Sequence, residues 1–394
     1  MPHDTRRIDT RDDNLTAASR ELRVDAFALD PAIAQTVRTP FGTWGGFDGI
    51  DRLVAVADDY EFDSYFGGVR VPTAGIGGVA VAPEHRGNGL ASALMKAIIT
   101  GARERGAVIS TLFGAAPALY RHLGYGMLAN SYHWRIPTSS LVGIRSPAGY
   151  TLLRAEDSDR PEMLELYTQL ALAGTGMADH AGIAPQTSTT TRYTLVRDPG
   201  GRLAGYCSWH TARAGTGMEL RLGEVRALDP LASRALLSGL SRWGSAIEAI
   251  TVTSVDSEEF WNTVPGVAVP SGIAPYMLRV LDPAAAVAAR GWNAAVAGEI
   301  RFELRDSIFA DNSGAWQLVV SGGAATLTPV TSAASDTVHP PLVFNAEGFA
   351  LWFAGVATCD ELRRTGRLDG GDARAEAILD AMAAQAKPTI THYF

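Results

Sequence analysis

Cysteine is scarce, with only Cys207 and Cys359 in 394 residues. Two thiols so far apart make neither a disulfide framework nor a zinc cluster, and they suit a reducing compartment. No metal site is expected. Long hydrophobic runs are also missing: Gly, Pro or charge interrupts each one well before a membrane-spanning length, so no transmembrane helix and no membrane partner are expected. The first residues, MPHDTRRIDTRDDN, lack the apolar core of a secretory leader, and a cytoplasmic location is expected. Positive charge is in deficit, with 34 Lys and Arg against 42 Asp and Glu and a formal net charge of −8. That balance argues against a nucleic-acid partner and suits a cationic ligand.

What is present points to packed globular domains. Hydrophobic residues make up 46% of the chain, and the mean hydropathy is close to zero. A length of 394 residues exceeds one ordinary core, so two or three domains are expected.

Along the first third, residues 15–27 and 30–38 read as helices and Leu53–Ala57 as a short buried strand. The charged stretch Asp58–Asp63 reads as a solvated hairpin. Ala74–Ala82 is a central strand of small and β-branched residues. From Gly89, the apolar residues Leu90, Ala93, Leu94, Ala97 and Ile98 recur with helical spacing. A strand (108–113), a short helix (116–123) and a strand (127–136) follow. Pro137–Tyr150 is rich in Ser, Gly and Pro and reads as a linker. The order then restarts. Helices are expected at 156–172 and 230–243, and strands near 191–197, 202–210, 219–227, 247–253 and 274–280, which suggests a duplicated fold. From Asp282 the character changes again. A helix at 283–289 leads to strands at 300–305, 315–321 and 324–329, with helices at 346–355 and 372–384. Helices alternating with a mixed sheet indicate an α/β (α+β) fold class.

The most informative stretch is Val79-Ala-Val-Ala-Pro-Glu-His-Arg-Gly-Asn-Gly-Leu-Ala-Ser92. A strand enters a Gly-rich turn that opens an amphipathic helix. Helix N-termini expose unpaired N–H groups, and their dipole favours anions. Gly87 and Gly89 let a diphosphate approach that backbone, and Arg86 adds positive charge. Glycines alone also serve an ordinary tight turn. The stretch is neither a Walker loop nor a dinucleotide fingerprint.

Arg86-Gly-Asn-Gly-Leu-Ala91 resembles the R-x-x-G-x-A signature of the GNAT N-acetyltransferases, and Leu119-Tyr-Arg-His-Leu-Gly-Tyr-Gly126 is similar to that fold's helix-to-strand segment. The resemblance covers roughly residues 15–136. It implies acetyl-CoA as cosubstrate, with Val79, Ala80 and Val81 along its pantetheine and Arg86, Gly87, Gly89, Leu90 and Ala91 at its pyrophosphate. In the second repeat, Gly223-Glu-Val-Arg-Ala-Leu-Asp-Pro230 enters a helix without the Gly-x-Gly approach. Leu278–Asp282 and Asp311–Val319 are similar to sterol-carrier-protein-like domains. Together these units look like the Eis (enhanced intracellular survival) family: tandem GNAT folds, the second degenerate, followed by a sterol-carrier-like domain. The expected domains are 1–137, 150–281 and 282–394. The resemblance further implies a homo-hexamer and a small-molecule amine acceptor of aminoglycoside or polyamine type.

Acyl transfer to an amine in a ternary complex needs no nucleophilic side chain, and neither cysteine lies near the signature. Tyr125 is the candidate general acid, because a phenol with a pKa of about 10 stays protonated at neutral pH. The Gly turn before it equally suits a packed aromatic. By the family resemblance, the carboxylate of Phe394 reaches the active site as base or ammonium anchor. The β-branched and aromatic tail Pro388–Phe394 is unlike a frayed terminus. His85 and His122 are alternative bases. Asp25 and Phe27 are the candidate amine-pocket residues. Two other functions remain open from the residues alone: a peptide lysine N-acetyltransferase, and a lipid-binding scaffold without activity.

Overall fold

The computed structural model describes residues 4–28, 40–179, 191–215, 217–244, 246–255, 269–331 and 340–390. The helix expected over 30–38 lies outside these residues.

The chain begins with β1 (Asp4–Arg7), α1 (Asp13–Phe27), β2 (Gly42–Phe47), β3 (Leu53–Phe66), β4 (Val69–Val81), α2 (Leu90–Glu104), β5 (Ile109–Phe113), α3 (Pro117–His122) and β6 (Gly126–Pro137). The middle third holds β7 (Thr151–Arg154), α4 (Arg160–Ala173), β8 (Arg192–Arg197), β9 (Leu203–Ala214), β10 (Gly217–Ala227), α5 (Pro230–Ser241), β11 (Ala249–Val255) and β12 (Val269–Val280). The last third holds α6 (Pro283–Ala289), β13 (Gly298–Arg305), β14 (Gly314–Ser321), β15 (Ala324–Val330), β16 (Leu342–Asn345), α7 (Ala346–Phe353), α8 (Cys359–Arg364), β17 (Leu368–Asp369) and α9 (Ala373–Ala383).

Compact units do not follow chain order. One gathers Met1–Leu128 with Pro275–Ala386, and the other gathers Ala129–Ala274 with the described tail residues 387–390. In the first, the strand order is β1-β2-β3-β4-β5-β12, so β5 is flanked by a strand from much later in the chain. A second sheet, β15-β14-β13-β16-β17, belongs to the same unit. In the other unit the order is β6-β11-β10-β9-β8-β7. Only β4–β5 and β10–β11 are parallel within these two six-strand series.

The helical spacing seen in the sequence produces one buried face on α2. Leu90, Leu94, Met95, Ile98, Ile99 and Ala102 are buried there, packed with Val54, Ala55, Ala57 and Ile76 of the sheet. Each fully buried large aliphatic contributes about 1.5–3 kcal/mol, which fixes α2, and therefore its N-terminus, against β3 and β4. In the last third, Phe302, Phe344, Phe349 and Trp352 fill the space between sheet and helices, with ring centroids 5.4–6.0 Å apart. No helix among the described residues is long and apolar enough to cross a membrane.

Three readings of the sequence need correction. Asp58–Asp63 is not a solvated hairpin; it lies inside the long strand β3, which runs well past Ala57. Asp58 and Asp59 are buried. Asp58 pairs with Arg23 of α1 at 2.7 Å, and Asp59 with Arg105 at 2.6 Å. Distant arginines neutralise the run, which single-strand patterning cannot reveal. Pro137–Tyr150 is not a plain linker either: a 3-10 turn over Thr138–Leu141 buries Leu141, and Thr138 Oγ1 donates to the Ile247 carbonyl at 2.7 Å. Finally, β1, β2, β7, β16, α8 and β17 are additional elements that the apolar periodicity did not disclose.

Candidate active site

Strands β4 and β5 run parallel and pair from Thr73↔Ile109 to Ile76↔Leu112. β4 then continues to Val81 without β5 beside it. Its register with β3 slips between Val56 and Asp58, the signature of a bulge, and Gly78 takes φ +60° there. A bulge bends the strand and re-aims it. The backbone edge of Gly77–Val81 that would face β5 therefore has no ladder partner and lines a fork. Gly78 also suits the space behind it, since a Cβ there would lie 3.0 Å from Arg23 Nε and 3.2 Å from Asp58 Oδ2.

The fork leads into the Gly-rich turn. After a 3-10 turn at Pro83–His85, Gly87 and Gly89 adopt φ +80° and +79°, a region that strains residues with side chains. No atom lies within 4 Å of where a Gly87 Cβ would sit, so backbone conformation rather than crowding requires glycine there. Gly89 is the N-cap of α2 and brings no side chain to its first N–H groups. Arg86 is exposed and donates from Nε to the Val81 carbonyl at 3.0 Å, which folds its charge back over the strand end. A helix start without a side-chain cap, its dipole and a nearby guanidinium are features suited to an anion such as a diphosphate. The Leu90 side chain is in the core, so only its backbone faces the turn, and Ala91 is half-buried beside it.

Tyr125 is fully buried, and its hydroxyl lies 2.7 Å from Ser110 Oγ. Ser110 is on β5 opposite Ala74, two positions before the fork opens. Burial pushes the Tyr125 phenol well above its ordinary value, against the opposing effects of the Ser110 hydrogen bond and the Arg279 charge. Raised in this way, the phenol keeps its proton across the physiological range. Ser110 escaped the sequence reading. Its one signal was a polar residue inside the apolar run Val108–Phe113, and a buried polar group is informative where a buried leucine is not.

Other expected residues are scattered. Asp25 and Phe27 are exposed on the last turn of α1. His85 is half-buried beside Arg52, its Nε2 3.5 Å from Nη2. His122 is exposed on α3 and lines a polar cavity of about 420 Å³ with Arg121, Asp306 and Glu347. Phe394 lies outside the described residues, but the tail is held as far as Ile390, which is buried. Thr389 N–H donates to the Thr175 carbonyl at 2.9 Å, beside a strand-like bridge from Thr175 to Pro388. Both thiols are buried and pushed up by desolvation, Cys207 to about 12.

Comparison with known proteins bears on the family and the fold. Residues 32–128 match the model of the acetyltransferase (GNAT) domain, and residues 283–391 match that of the sterol carrier protein domain. A Streptomyces coelicolor protein named as an N-acetyltransferase is 25% identical over 299 residues, covering 70% of this chain and 71% of that protein. Two solved structures share the fold along nearly the whole chain. The GCN5-related N-acetyltransferase of Anabaena variabilis aligns with a TM-score of 0.86 at 24% identity, covering 99% of this chain and 100% of that one. Eis1 of Mycobacterium abscessus aligns with a TM-score of 0.74 at 21% identity, covering 100% of both chains.

Proposed function

We propose that this chain, a GNAT N-acetyltransferase with the Eis-type fold and a C-terminal sterol carrier protein domain, transfers acetyl groups from acetyl-CoA directly to primary amines of polycationic small molecules. The observation that carries this reading is the uncapped N-terminus of α2 at the end of the β4–β5 fork. There the pyrophosphate would accept from the backbone of Leu90 and Ala91, with Gly87 and Gly89 giving clearance and Arg86 adding charge. The pantetheine would run along the unpaired edge of Val79, Ala80 and Val81.

In this scheme the amine nitrogen attacks the thioester carbonyl, a C–N bond forms, and the C–S bond breaks. The leaving sulfur takes the phenolic proton of Tyr125, and Ser110 stays hydrogen-bonded to the phenolate that remains. The proton lost by the amine goes to a base, assigned to the carboxylate of Phe394. An α-carboxyl with a pKa of about 3.5 is a weak base in water, so desolvation and anchoring of the ammonium are both part of its role. The burial of Ile390, four residues before Phe394, is compatible with this role. Buried thiols fit a route without an acetyl-cysteine. The acidic net charge of −8 and the exposed Asp25 favour a cationic acceptor. The aromatic filling of the C-terminal domain favours a structural role there over lipid carriage. A homo-hexamer in the cytoplasm completes the proposal.

Isothermal titration of the full chain with acetyl-CoA tests it first: saturable binding is expected, and no binding would sink the reading. A mass-spectrometric screen of polyamines, aminoglycosides and a lysine peptide then reads the acceptor class by the number and position of acetyl groups. Acetylation of the peptide alone would replace the small-molecule acceptor.

A further inference from the structure

Tyr125 stands between two glycines, and both touch the last third of the chain. Gly124 has φ +82°; a Cβ there would collide with the Arg279 guanidinium and reach the Ala346 Cβ at 3.0 Å. A Cβ on Gly126 would meet Leu351 Cγ at 2.6 Å and the Glu347 carbonyl at 3.2 Å. The loop carrying Tyr125 is therefore pressed between Arg279 on β12 and α7.

Arg279 is fully buried, at 0% exposure. Its Nη1 donates to the Leu123 carbonyl, and its Nη2 lies 2.8 and 2.7 Å from the two carboxylate oxygens of Asp306. Asp306 is itself fixed, accepting from Ile308 N at 2.9 Å, Phe309 N at 3.1 Å and Asn312 Nδ2 at 3.0 Å. The same turn grips α2: Arg103 reaches the Asp311 carboxylate at 2.9 and 2.7 Å and Asn312 Oδ1 at 3.2 Å. One turn after β13 is thus linked through Arg279 to the loop that carries Tyr125 and bonded directly to α2, whose N-terminus is the proposed cradle. A buried ion pair is weak evidence for stability, because apolar residues fill such space as well. Its direction is what apolar packing would not supply: it fixes a carbonyl two residues before Tyr125.

We infer that the C-terminal domain sets the position of Tyr125, with Asp306 and Arg279 as positioning residues for acetyl transfer. The inference rests on Tyr125 being the general acid. Misplacing a reacting group by about 1 Å costs on the order of 100-fold in rate. Asp306→Asn keeps the shape and an acceptor for the turn but removes the charge that holds Arg279. In the full chain it should lower kcat on the order of 10- to 100-fold, with little change in acetyl-CoA affinity by titration calorimetry. In a Tyr125→Phe background it should have no further effect, because the group it positions is gone.

An unchanged kcat in D306N, or a loss that persists in full beside Y125F, would overturn the inference while the acid assignment stands. Wild-type turnover in Y125F alone would remove the acid assignment, and the positioning role with it. If D306N fails to fold, Gly126→Ala with and without Leu351→Ala decides the matter. The added Cβ pushes on Leu351, so G126A should turn over slowly and the double variant should recover. No loss in G126A, or no recovery in the double variant, overturns the inference.

Discussion

β4 pairs in parallel with β5 over Thr73–Ile76, and β10 pairs in parallel with β11 over Glu219–Leu222. In each unit a bulge follows at once, between Val56 and Asp58 opposite β4 and between Leu222 and Val225 on β10. Each bulged strand then leads to a helix. Beyond that point the two differ. The first unit spends residues 82–89 on a Gly-rich turn that ends in an uncapped Gly89, whereas the second has only residues 228–229. There Asp229 caps the helix, its carboxylate accepting from Leu231 N and Ala232 N at 2.8 Å each. Each bulge begins with a glycine, Gly78 or Gly223, but the next residue is Val79 in the first and Glu224 in the second, where it is buried and bonded to the Tyr206 hydroxyl at 2.9 Å. The two units thus share the fork and the bulge, and differ in the length of the turn and in how the helix terminus is satisfied.

The largest expected difference is chemical. Each unit has a buried tyrosine bonded near its fork, Tyr125 to Ser110 and Tyr206 to Glu224, and burial raises both phenols. Tyr125→Phe should lower kcat by roughly 10²- to 10⁴-fold, the usual range for a lost general acid, with acetyl-CoA affinity retained. Tyr206→Phe should leave kcat unchanged. Because burial holds the Tyr125 phenol above its ordinary value of about 10, kcat should show no alkaline limb from this group below that pH. An alkaline limb near neutrality that disappears in Y125F would contradict the assignment of its environment.

Next in size is a transplant between the units. Gly89→Asp puts in the first unit the residue type that caps the second, at a backbone of φ +79° where a side chain is also strained, unlike the φ −150° of Asp229. Both the added carboxylate and the disturbed turn should act against the N–H groups proposed for the pyrophosphate. Hydrogen bonds to charged groups contribute about 1.5–3 kcal/mol each, so losing two weakens acetyl-CoA by roughly 100-fold or more. Calorimetric affinity within a few-fold of wild type would show that the cradle lies elsewhere.

The first unit's own buried pairs differ in sign. For Asp306 burial would raise the carboxyl, but the Arg279 charge and hydrogen bonds win and hold it below the usual carboxylate range. For Asp58 burial wins over Arg23, and the carboxyl is raised. By linkage, a depressed carboxyl contributes stability that is present above its unfolded value of about 3.9 and lost as pH falls through its folded value. A raised carboxyl does the reverse: stability declines as pH climbs from about 4 through its folded value. Urea unfolding across this range should therefore show a shallower acid-side loss in D306N and a shallower decline above pH 4 in Asp58→Asn. Opposite slope changes would mean the two environments have been exchanged.

What sequence alone could show follows the range of each interaction. β4, the turn and α2 were legible because their signals lie within neighbouring residues, glycine spacing at 87 and 89 and the apolar repeat from Leu90. Asp58 and Asp59 were misread because their partners, Arg23 and Arg105, are remote in sequence. Leu123, Arg279 and Asp306 meet across separations of 156 and 27 residues, which no local pattern encodes. Tyr125 was singled out by its motif, yet its hydrogen-bond partner Ser110 was not, since a serine in a strand carries no signature of its own. The helix α8 is different. Thr358 and Glu361 form a capping box, Thr358 N–H donating to Glu361 Oε2 at 2.8 Å, so a local signal was present and simply passed over.

The smallest effect runs the comparison backwards. Asp229→Gly uncaps α5 and makes its first residue pattern resemble that of α2. Replacing an N-cap carboxylate by glycine costs only a few tenths of a kcal/mol, because water then reaches the freed N–H groups, whereas alanine costs about 1 kcal/mol. Asp229→Gly should thus leave the melting temperature nearly unchanged and Asp229→Ala should lower it by a few degrees. Neither should create a second acetyl-CoA site, because Leu228 and Asp229 alone separate β10 from α5 and Pro230 supplies no N–H. Calorimetric stoichiometry decides the matter. One acetyl-CoA per chain in the wild type and in both variants means that turn length and cap are both required, while a second equivalent in Asp229→Gly would show that the carboxylate alone keeps the degenerate unit closed.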